Sequence, residues 1–335
     1  MHCRWVGRVA YVARMLPTAA DVNAAAHRLH GVVERTPLLH SPGLSASADV
    51  EVFLKCENLQ RTGSFKLRGA YNALATLPAH SRAAGIVASS AGNHGLGVAM
   101  SARLLGVRAR IFMPANAPAV KRDGIIALGA EVDQSQPHYD AAHDAAVAYA
   151  DAHGMTFVNP CAGEPLLAGQ GTVAAEVLAE LPAVRTVIVP VGGGGLVGGM
   201  GAYLRAVAPG VRIVGAQSEH TNAMARSLAA GRRVEIGYEP TLADGLAGQI
   251  DEEGLAIGRF AIDEMCVVTE AQVADAVAWL SQAHALRVEG SGAVGVAALR
   301  ARGGGAWLGP IAVVVSGGNI DDARWSSIIE GAVAI

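Results

Sequence analysis

A lysine at a predicted strand-to-helix connection has the clearest capacity for covalent chemistry in this sequence. Lys66 stands in Ser64-Phe65-Lys66, at the predicted start of a helix. The positive potential of a helix N-terminus and the partial loss of water both favour the neutral form of an amine. A neutral amine can attack a carbonyl group and form a Schiff base. A lone surface lysine would not carry this meaning, so the interpretation depends on the segments around Lys66.

Three glycine-rich loops each follow a predicted apolar strand, at residues 90–95, 192–195 and 316–318. In open α/β sheets, ligands bind at the carboxyl ends of the strands. Glycines expose backbone N–H groups, and at a helix N-terminus these groups favour a carboxylate or a phosphate. We therefore interpret the first two loops as anion sites. Ser316 begins the third loop, where its hydroxyl can exchange one neutral hydrogen bond.

The second loop also satisfies a dinucleotide fingerprint. Gly193, Gly195 and Gly198 have the G-x-G-x-x-G spacing. An NAD site would need an acidic residue at the end of the next strand, about 20 residues further on. That predicted strand instead reaches Gln217, and Glu219 follows late. The sequence therefore favours a phosphate-binding loop over an NAD site.

Apolar strands and helices alternate along the chain and must position these loops. The predicted strands are residues 50–55, 85–89, 107–113, 131–132, 156–158, 186–191, 211–216, 267–268 and 311–315. The predicted helices between them include residues 64–77, 120–128, 139–153, 167–181, 223–230, 272–285 and 295–300. This alternation is typical of parallel sheets with helices on both faces. We expect an α/β chain with two lobes and a cleft between them.

Composition excludes several other classes of protein. Apolar residues make up 51% of the chain and charged residues 16%, which is typical of a well-buried enzyme. The net charge of −3 gives no reason to expect a nucleic-acid partner. Since no apolar run approaches about 18 residues, no membrane partner is expected either. The four cysteines lack C-x-x-C spacing, which favours free thiols and a cytoplasmic location.

Taken together, four segments resemble the fold-type II pyridoxal-phosphate (PLP) enzymes. They are residues 64–69 (SFKLRG), 90–94 (SAGNH), 192–195 (GGGG) and 316–321 (SGGNID). Their order and spacing match that family over roughly residues 35–321. Within it, the chain is similar to threonine/serine dehydratases (threonine ammonia-lyases) and serine racemases.

The resemblance implies a two-lobed architecture like that of the tryptophan synthase β subunit, with the cofactor in the interdomain cleft. Residues 15–80 and 160–335 would form the large PLP-binding domain. Residues 81–159 would form a small substrate-side domain, and residues 1–14 would be an extension or a mis-assigned start. Because the chain ends soon after Asp321, we expect no C-terminal regulatory domain. Family analogy also predicts a homodimer or homotetramer.

The resemblance also implies a role for each motif residue. Lys66 would bind PLP as a Schiff base and then remove the Cα proton, with Phe65 flanking the ring. Asn93 would bind the ring hydroxyl, and Ser316 would face the pyridine nitrogen. The phosphate would lie on Gly192, Gly193, Gly194 and Gly195. The carboxylate of a small amino-acid substrate would lie on the backbone of Ser90, Ala91, Gly92, Asn93 and His94.

With these roles, the resemblance implies β-elimination from threonine to 2-oxobutanoate and ammonia, and from serine to pyruvate and ammonia. Ala91 stands where serine racemases carry a serine, and its methyl group cannot transfer a proton, which disfavours racemisation. Gln217 replaces a carboxylate of the divalent-cation site found in related enzymes, so no metal site is predicted.

Several alternatives stay open at this point. The substrate could be another β-hydroxy amino acid such as 3-hydroxyaspartate. The chain could be a serine racemase, or a PLP-binding protein without catalytic activity. Residues 241–246 could lie near the substrate or form an ordinary turn. Glu289 could lie near the cofactor ring or cap the following helix.

Overall fold

The computed structural model describes residues 16–90 and 92–331, whose strands form two separate sheets. Residues 1–14, predicted to be an extension, and Ala91 lie outside the described residues. The strands are β1 Leu38–His40, β2 Val52–Cys56, β3 Ile86–Ser89, β4 Ala109–Pro114, β5 Glu131–Gln136, β6 Thr156–Phe157, β7 Thr186–Pro190, β8 Arg212–Ser218, β9 Glu264–Val268 and β10 Ile311–Val315. The larger sheet has the order β1-β2-β10-β7-β8-β9, and the smaller one β5-β4-β3-β6.

Helices connect these strands and cover both sheets. They are α1 Ala19–Leu29, α2 Pro42–Ala48, α3 Lys66–Thr76, α4 Ala79–Ala84, α5 Asn93–Leu105, α6 Ala119–Ala127, α7 Tyr139–His153, α8 Glu164–Glu180, α9 Gly195–Val207, α10 Ala223–Ala230, α11 Glu252–Ala261, α12 Glu270–His284, α13 Gly290–Arg302 and α14 Asp322–Ile329. The predicted helices α7 and α10 and the predicted strand β10 have the expected bounds. Four helices, α2, α4, α11 and α14, were not predicted from the sequence. Glycines such as Gly254 and Gly258 lower the helix propensity of α11, but Asp251 caps its first turn.

The larger sheet is parallel apart from its edge strand β1. Strand β1 pairs antiparallel with β2, and Leu38 lies opposite Lys55. The predicted parallel sheets are therefore present, with one antiparallel pair at this edge. Residues 41–51 connect the two strands, and a parallel crossover needs about a dozen residues or more. The remaining neighbours in both sheets pair parallel.

The alternation of side chains along β10 builds two cores, one on each face of the larger sheet. Ile311, Val313 and Val315 face a core covered by α2, α12 and α13. Ala312 and Val314 face the opposite core, which is covered by α8 and α9. A strand buried on both faces reads as a continuous apolar run, as this one does. The α/β class with helices on both sheet faces is therefore confirmed.

The smaller sheet packs in the same way. Ala142 and Ala146 of α7 lie against Val87 and Phe112 on one face, while α5 and α6 cover the other face. All four strands of this sheet lie within the predicted small domain, residues 81–159. The division into the two predicted domains stays a prediction.

The carboxyl ends of three strands lead into the glycine-rich loops. Strand β3 leads through residues 90–92 into α5, β7 leads through residues 191–194 into α9, and β10 leads into Ser316. Within residues 16–90 and 92–331, no helix combines the length and apolar character needed to cross a bilayer.

Candidate active site

Lys66 is the first residue of α3, and its side chain is partly buried. Its Nζ donates a hydrogen bond of 3.0 Å to the carbonyl oxygen of Pro160. The centre of the Phe65 ring lies 5.2 Å from the same nitrogen. The amine therefore sits at a helix start and beside an aromatic ring, as the sequence predicts.

Lys66 is one of only three lysines in the sequence, with Lys55 and Lys121. The Nζ of Lys55 is fully buried and pairs with Glu176 at 2.6 Å. The Nζ of Lys121 pairs with Asp244 at 3.1 Å. Among the ion pairs of the described residues, Lys66 has no carboxylate partner. It is therefore the lysine whose amine is available for reaction.

The turn after β10 is tied directly to the segment before Lys66. The backbone N–H of Phe65 donates to the carbonyl oxygen of Ser316 at 3.2 Å, and that of Gly318 donates to Gly63 at 2.8 Å. The Ser316 hydroxyl is buried, and among the described residues its one hydrogen bond is a long contact of 3.5 Å to the Ser291 carbonyl oxygen. The structure thus brings two of the predicted motifs together and leaves the Ser316 hydroxyl with hydrogen-bonding capacity to spare.

The four glycines at 192–195 form the turn into α9. Gly194 has φ +105°, a conformation that residues with a Cβ rarely adopt. A Cβ on Gly193 would come within 2.7 Å of the Cys161 Sγ. Cys161 follows Pro160, whose carbonyl holds Lys66. The glycine loop and Lys66 are therefore neighbours, linked through Pro160 and Cys161.

Asn93 begins α5, and both ends of its side-chain amide are engaged. Its Nδ2 donates to Glu289 Oε1 at 2.5 Å, and its Oδ1 accepts a bond of 2.8 Å from Asn319 Nδ2. Asn319 also donates to the Thr62 carbonyl at 2.8 Å. This network fixes the direction of the amide and leaves the second N–H of Asn93 Nδ2 for a ligand.

Ser90 and Gly92 form the turn before α5. The Ser90 Oγ accepts hydrogen bonds from the backbone N–H groups of Gly92 at 2.9 Å and Gly95 at 2.8 Å. The acceptor sites of this hydroxyl therefore serve the turn itself, and its O–H donor is not engaged by either of these bonds. The placement of Ala91, between these residues, lies outside the part of the chain that the structure describes.

His94 is buried beside the same helix start. Burial and the nearby positive charge of Lys66 lower the pKa of His94 to about 3, although the bond to the Val158 carbonyl raises it. The imidazole is therefore neutral at physiological pH. Its Nε2 contacts the Val158 carbonyl at 3.1 Å, so Nδ1 is a buried acceptor without a protein partner.

A buried cluster of charges lies directly behind Lys66. Arg68, two residues further along α3, donates to Glu57 at 2.8 Å and to Glu176 at 2.7 Å. Burial alone would raise the pKa of Glu57, but the charge and hydrogen bonds of Arg68, together with Lys55 and Thr36, outweigh this effect and hold the pKa below its ordinary value. The cluster joins α3 to α8 and fixes the first turn of the helix that carries Lys66.

Sequence reasoning missed Lys121 and left Asp244 and Glu289 undecided. Glu289 precedes α13 without capping it through its side chain, and instead contacts Asn93. Burial raises the pKa of Glu289 to about 7, although the charge of Lys121 opposes the shift. Asp244 opens a short 3-10 helix whose Leu246 packs against Gly192. Lys121 carries no local motif, because only the tertiary fold brings it beside Asp244 and Glu289.

Gln217 lies near the end of β8, at the position where the sequence resemblance predicts a glutamine in place of a cation-binding carboxylate. Its Nε2 donates to the carbonyls of Val191 at 3.0 Å and Thr221 at 2.6 Å, and its Oε1 accepts from Ala225 N. The amide is thus fully used within the protein. In residues 16–90 and 92–331, no group of three or more His, Cys, Asp or Glu side chains is arranged to hold a metal ion.

Comparison with known proteins identifies relatives along most of the chain. Residues 29–317 match the family model described as pyridoxal-phosphate dependent enzyme. The chain is 42% identical over 312 residues to an L-threonine ammonia-lyase of Thermotoga maritima, covering 91% of this chain and 76% of that protein.

Two solved structures have the same fold over nearly their whole length. The maize serine racemase is 31% identical, with a TM-score of 0.88, and the match covers 94% of this chain and 98% of that chain. A threonine deaminase from T.th. is 34% identical, with a TM-score of 0.85 and coverages of 91% and 99%.

Proposed function

Because this chain belongs to the family of pyridoxal-phosphate dependent enzymes, we propose that it is an ammonia-lyase acting on L-threonine and L-serine. The products would be 2-oxobutanoate or pyruvate, together with ammonia. The observation that carries the proposal is the position of Lys66: it alone of the three lysines has no carboxylate partner among the described residues, and it adjoins the glycine loop. The threonine ammonia-lyase of Thermotoga maritima, at 42% identity, supports the same reaction.

The residues present fit pyridoxal phosphate. The glycine loop at the start of α9 gives an anion backbone N–H groups at a helix N-terminus, with no side chain in the way. The Lys66 amine is held only by a carbonyl oxygen, and the Ser316 hydroxyl has only its long contact to a carbonyl. We propose that Gly192, Gly193, Gly194 and Gly195 hold the phosphate, and that Phe65, Lys66, Asn93 and Ser316 surround the ring.

When bound, pyridoxal phosphate supplies an electron-withdrawing ring that stabilises the negative charge left on Cα after proton removal. We propose that backbone N–H groups at residues 90–94, at the start of α5, hold the substrate carboxylate. This places Cα near Lys66, whose Nζ accepts the Cα proton. The β-hydroxyl then leaves with a proton as water. Hydrolysis of the resulting enamine gives the 2-oxo acid and ammonia.

The neutral Ser316 hydroxyl shapes this chemistry in our proposal. A carboxylate at its position would favour a protonated pyridine nitrogen, whereas a hydroxyl adds no negative charge. The charge on Cα is then less strongly delocalised, so prompt loss of the β-hydroxyl is favoured over transamination.

A serine racemase is the second candidate, because the maize serine racemase is 31% identical and has the same fold. Racemisation needs a proton donor on the ring face opposite Lys66. Ala91 has no proton to give at the position where the resemblance places the serine of racemases, and Ser90 lies one position away, with its Oγ held in its own turn by two backbone N–H groups. We therefore favour the lyase.

The experiment is a product assay on the PLP-loaded protein with L-threonine, L-serine, 3-hydroxyaspartate and phenylserine. The proposal predicts equal amounts of ammonia and 2-oxobutanoate from threonine, with no D-serine on chiral analysis of recovered serine. D-serine formed faster than pyruvate would favour the racemase. A protein that binds PLP but releases no 2-oxo acid from threonine or serine would contradict the proposal.

The cytoplasmic location and the homodimeric or homotetrameric state predicted from the sequence are also proposals. Light scattering coupled to size-exclusion chromatography tests the second. A mass of two or four chains is the expected result, and a mass of one chain would contradict it.

A further inference from the structure

A small cleft opens next to the hydrogen-bond network of Asn93. Glu289 and Asn319 line it, and both hydrogen-bond to the Asn93 side chain. Lys121 of α6 and Asp244 also line it, and their side chains form an ion pair of 3.1 Å. Because Asn93 begins the helix proposed to hold the substrate carboxylate, this cleft is where the substrate's side chain can extend.

Lys121 brings a buried positive charge to this cleft. Its side chain is only 6% exposed, and a Cβ on Gly92 would collide with its Cδ. The lysine stem therefore lies against the turn that leads into α5. Burial lowers the pKa of Lys121, but the charges of Glu289 and Asp244 outweigh that effect and raise it, so the amine is charged at neutral pH.

Two carboxylates lie close to the charged Lys121 amine. Asp244 Oδ2 lies 3.1 Å from the Lys121 Nζ, and Glu289 Oε2 lies 3.9 Å from it. The other basic residue lining the described cleft is Arg324, which is exposed and donates to the Thr241 carbonyl at 2.6 Å. Glu289 is itself bonded to Asn93. Asp244 is therefore the closer ion-pair partner, and its pairing with Lys121 leaves the amine unavailable to an incoming anionic ligand.

We propose that Asp244 is a specificity-determining residue that, by pairing with Lys121, excludes β-hydroxy amino acids with a side-chain carboxylate and leaves threonine and serine as substrates. This inference rests on the proposed lyase function and narrows its substrate class. A carboxylate entering the cleft would face the negative charge of Asp244, and the buried Lys121 amine would already be paired with that charge. The methyl group of threonine and the bare hydroxymethyl group of serine carry no charge and meet no such repulsion.

Substitution of Asp244 by asparagine reverses this arrangement. The side chain keeps its shape, but Lys121 retains only Glu289 at 3.9 Å and becomes able to bind a carboxylate. The matched control is Asp321→Asn. Asp321 lines the same cleft, and its Oδ1 caps α14 through Ala323 and Arg324 without contacting Lys121. Asparagine caps helices as well as aspartate does.

The first measurement compares L-aspartate with its neutral isostere L-asparagine. Neither carries a β-hydroxyl, and their dissociation constants can be read from the visible absorption of the PLP-loaded protein. The wild type should bind aspartate no more tightly than asparagine. The aspartate preference is the dissociation constant for asparagine divided by that for aspartate. In Asp244→Asn this ratio should rise at least about tenfold, which corresponds to about 1.4 kcal/mol. The rise should vanish in Lys121→Met/Asp244→Asn and be absent in Asp321→Asn. If the asparagine variant misfolds, Asp244→Ser serves in its place.

The second measurement is the ratio of kcat/KM for 3-hydroxyaspartate to that for threonine. It should rise at least about tenfold in Asp244→Asn. An unchanged preference in both measurements, or a gain that survives loss of Lys121, would overturn the role of Asp244. A wild type that turns over neither threonine nor serine would instead contradict the proposed function, and the aspartate and asparagine constants would still decide the role of Asp244.

Discussion

The carboxylate of Glu289 accepts a 2.5 Å hydrogen bond from the side-chain amide of Asn93, although the two residues are 196 positions apart in the chain. The bond joins the start of α13, beside the larger sheet, to the start of α5, beside the smaller one. It also fixes which end of the Asn93 amide is the donor. Because this carboxylate is buried, its ionisation should affect the stability of the protein.

Glu289→Gln should change how stability depends on pH. Because the folded-state pKa of Glu289 is raised to about 7, its contribution to stability is complete below its ordinary pKa near 4.5 and is lost as pH rises through 7. Glutamine keeps the bond from Asn93 and cannot ionise. At pH 8.5 the free energy of unfolding, measured in urea, should therefore be larger for the variant than for the wild type, by on the order of 1 kcal/mol or more.

At pH 5 the same variant should show little of this gain. Glu235→Gln, at an exposed position, is the control and should show no gain at either pH. A Glu289→Gln variant that gains as much stability at pH 5 as at pH 8.5 would show that the raised pKa is not the cause.

Gly193→Ala should weaken the binding of pyridoxal phosphate at least about tenfold, about 1.4 kcal/mol. The reason is the 2.7 Å approach between the added Cβ and the Cys161 Sγ, which must displace the loop. The dissociation constant is measured by titrating apoprotein with the cofactor. Gly210→Ala is the matched control, since its Cβ meets no atom within 4 Å.

Cys161→Ala should partly restore cofactor affinity when combined with Gly193→Ala, because it removes the sulfur that the new methyl group meets. By itself Cys161→Ala should change the affinity little. A double variant that binds no better than Gly193→Ala would show that the Cys161 contact does not shape the loop.

Arg68→Met should lower the free energy of unfolding by about 3–5 kcal/mol at pH 7, because it leaves Glu57 buried without its main partner. Since Arg68 holds the folded-state pKa of Glu57 below its ordinary value, the stabilisation is present above pH 4.5 and is lost as pH falls below it. The difference in free energy of unfolding between the wild type and Arg68→Met should therefore become smaller at acid pH.

Arg61→Met is the control for this experiment, since the Arg61–Glu34 pair is exposed, at 40% and 55%. It should cost less than about 1 kcal/mol. Equal losses in Arg61→Met and Arg68→Met would contradict the account of the buried cluster.

The fold was largely predictable because its signals are local. Strand β10 is a run of five apolar residues that is followed by Ser316, and α7 has a regular helical pattern. Both elements therefore have the bounds predicted from the sequence. Residues 35–38 predict a turn into an extended segment, but the antiparallel pairing of the edge strand β1 was not predicted, since a three-residue strand is too short to show a pattern.

The candidate site was predictable only where a residue belongs to a motif. Lys66 and the glycine loop stand next to strand ends, so their sequence neighbours reveal them. Lys121 lies within an ordinary helical pattern, and its partners Asp244 and Glu289 are more than 120 residues away in the chain. Their meeting depends on the packing of α6 against the turn before α13, which one sequence without its fold does not contain.

The most direct test of the account is to locate the lysine that holds pyridoxal phosphate. Borohydride reduction of the loaded protein fixes the cofactor to its lysine, and peptide mass spectrometry then identifies the site. Only Lys55, Lys66 and Lys121 are candidates. The account predicts the added mass on Lys66 alone, and no visible cofactor band in Lys66→Ala. Added mass on Lys55 or Lys121, or on no lysine at all, would contradict it.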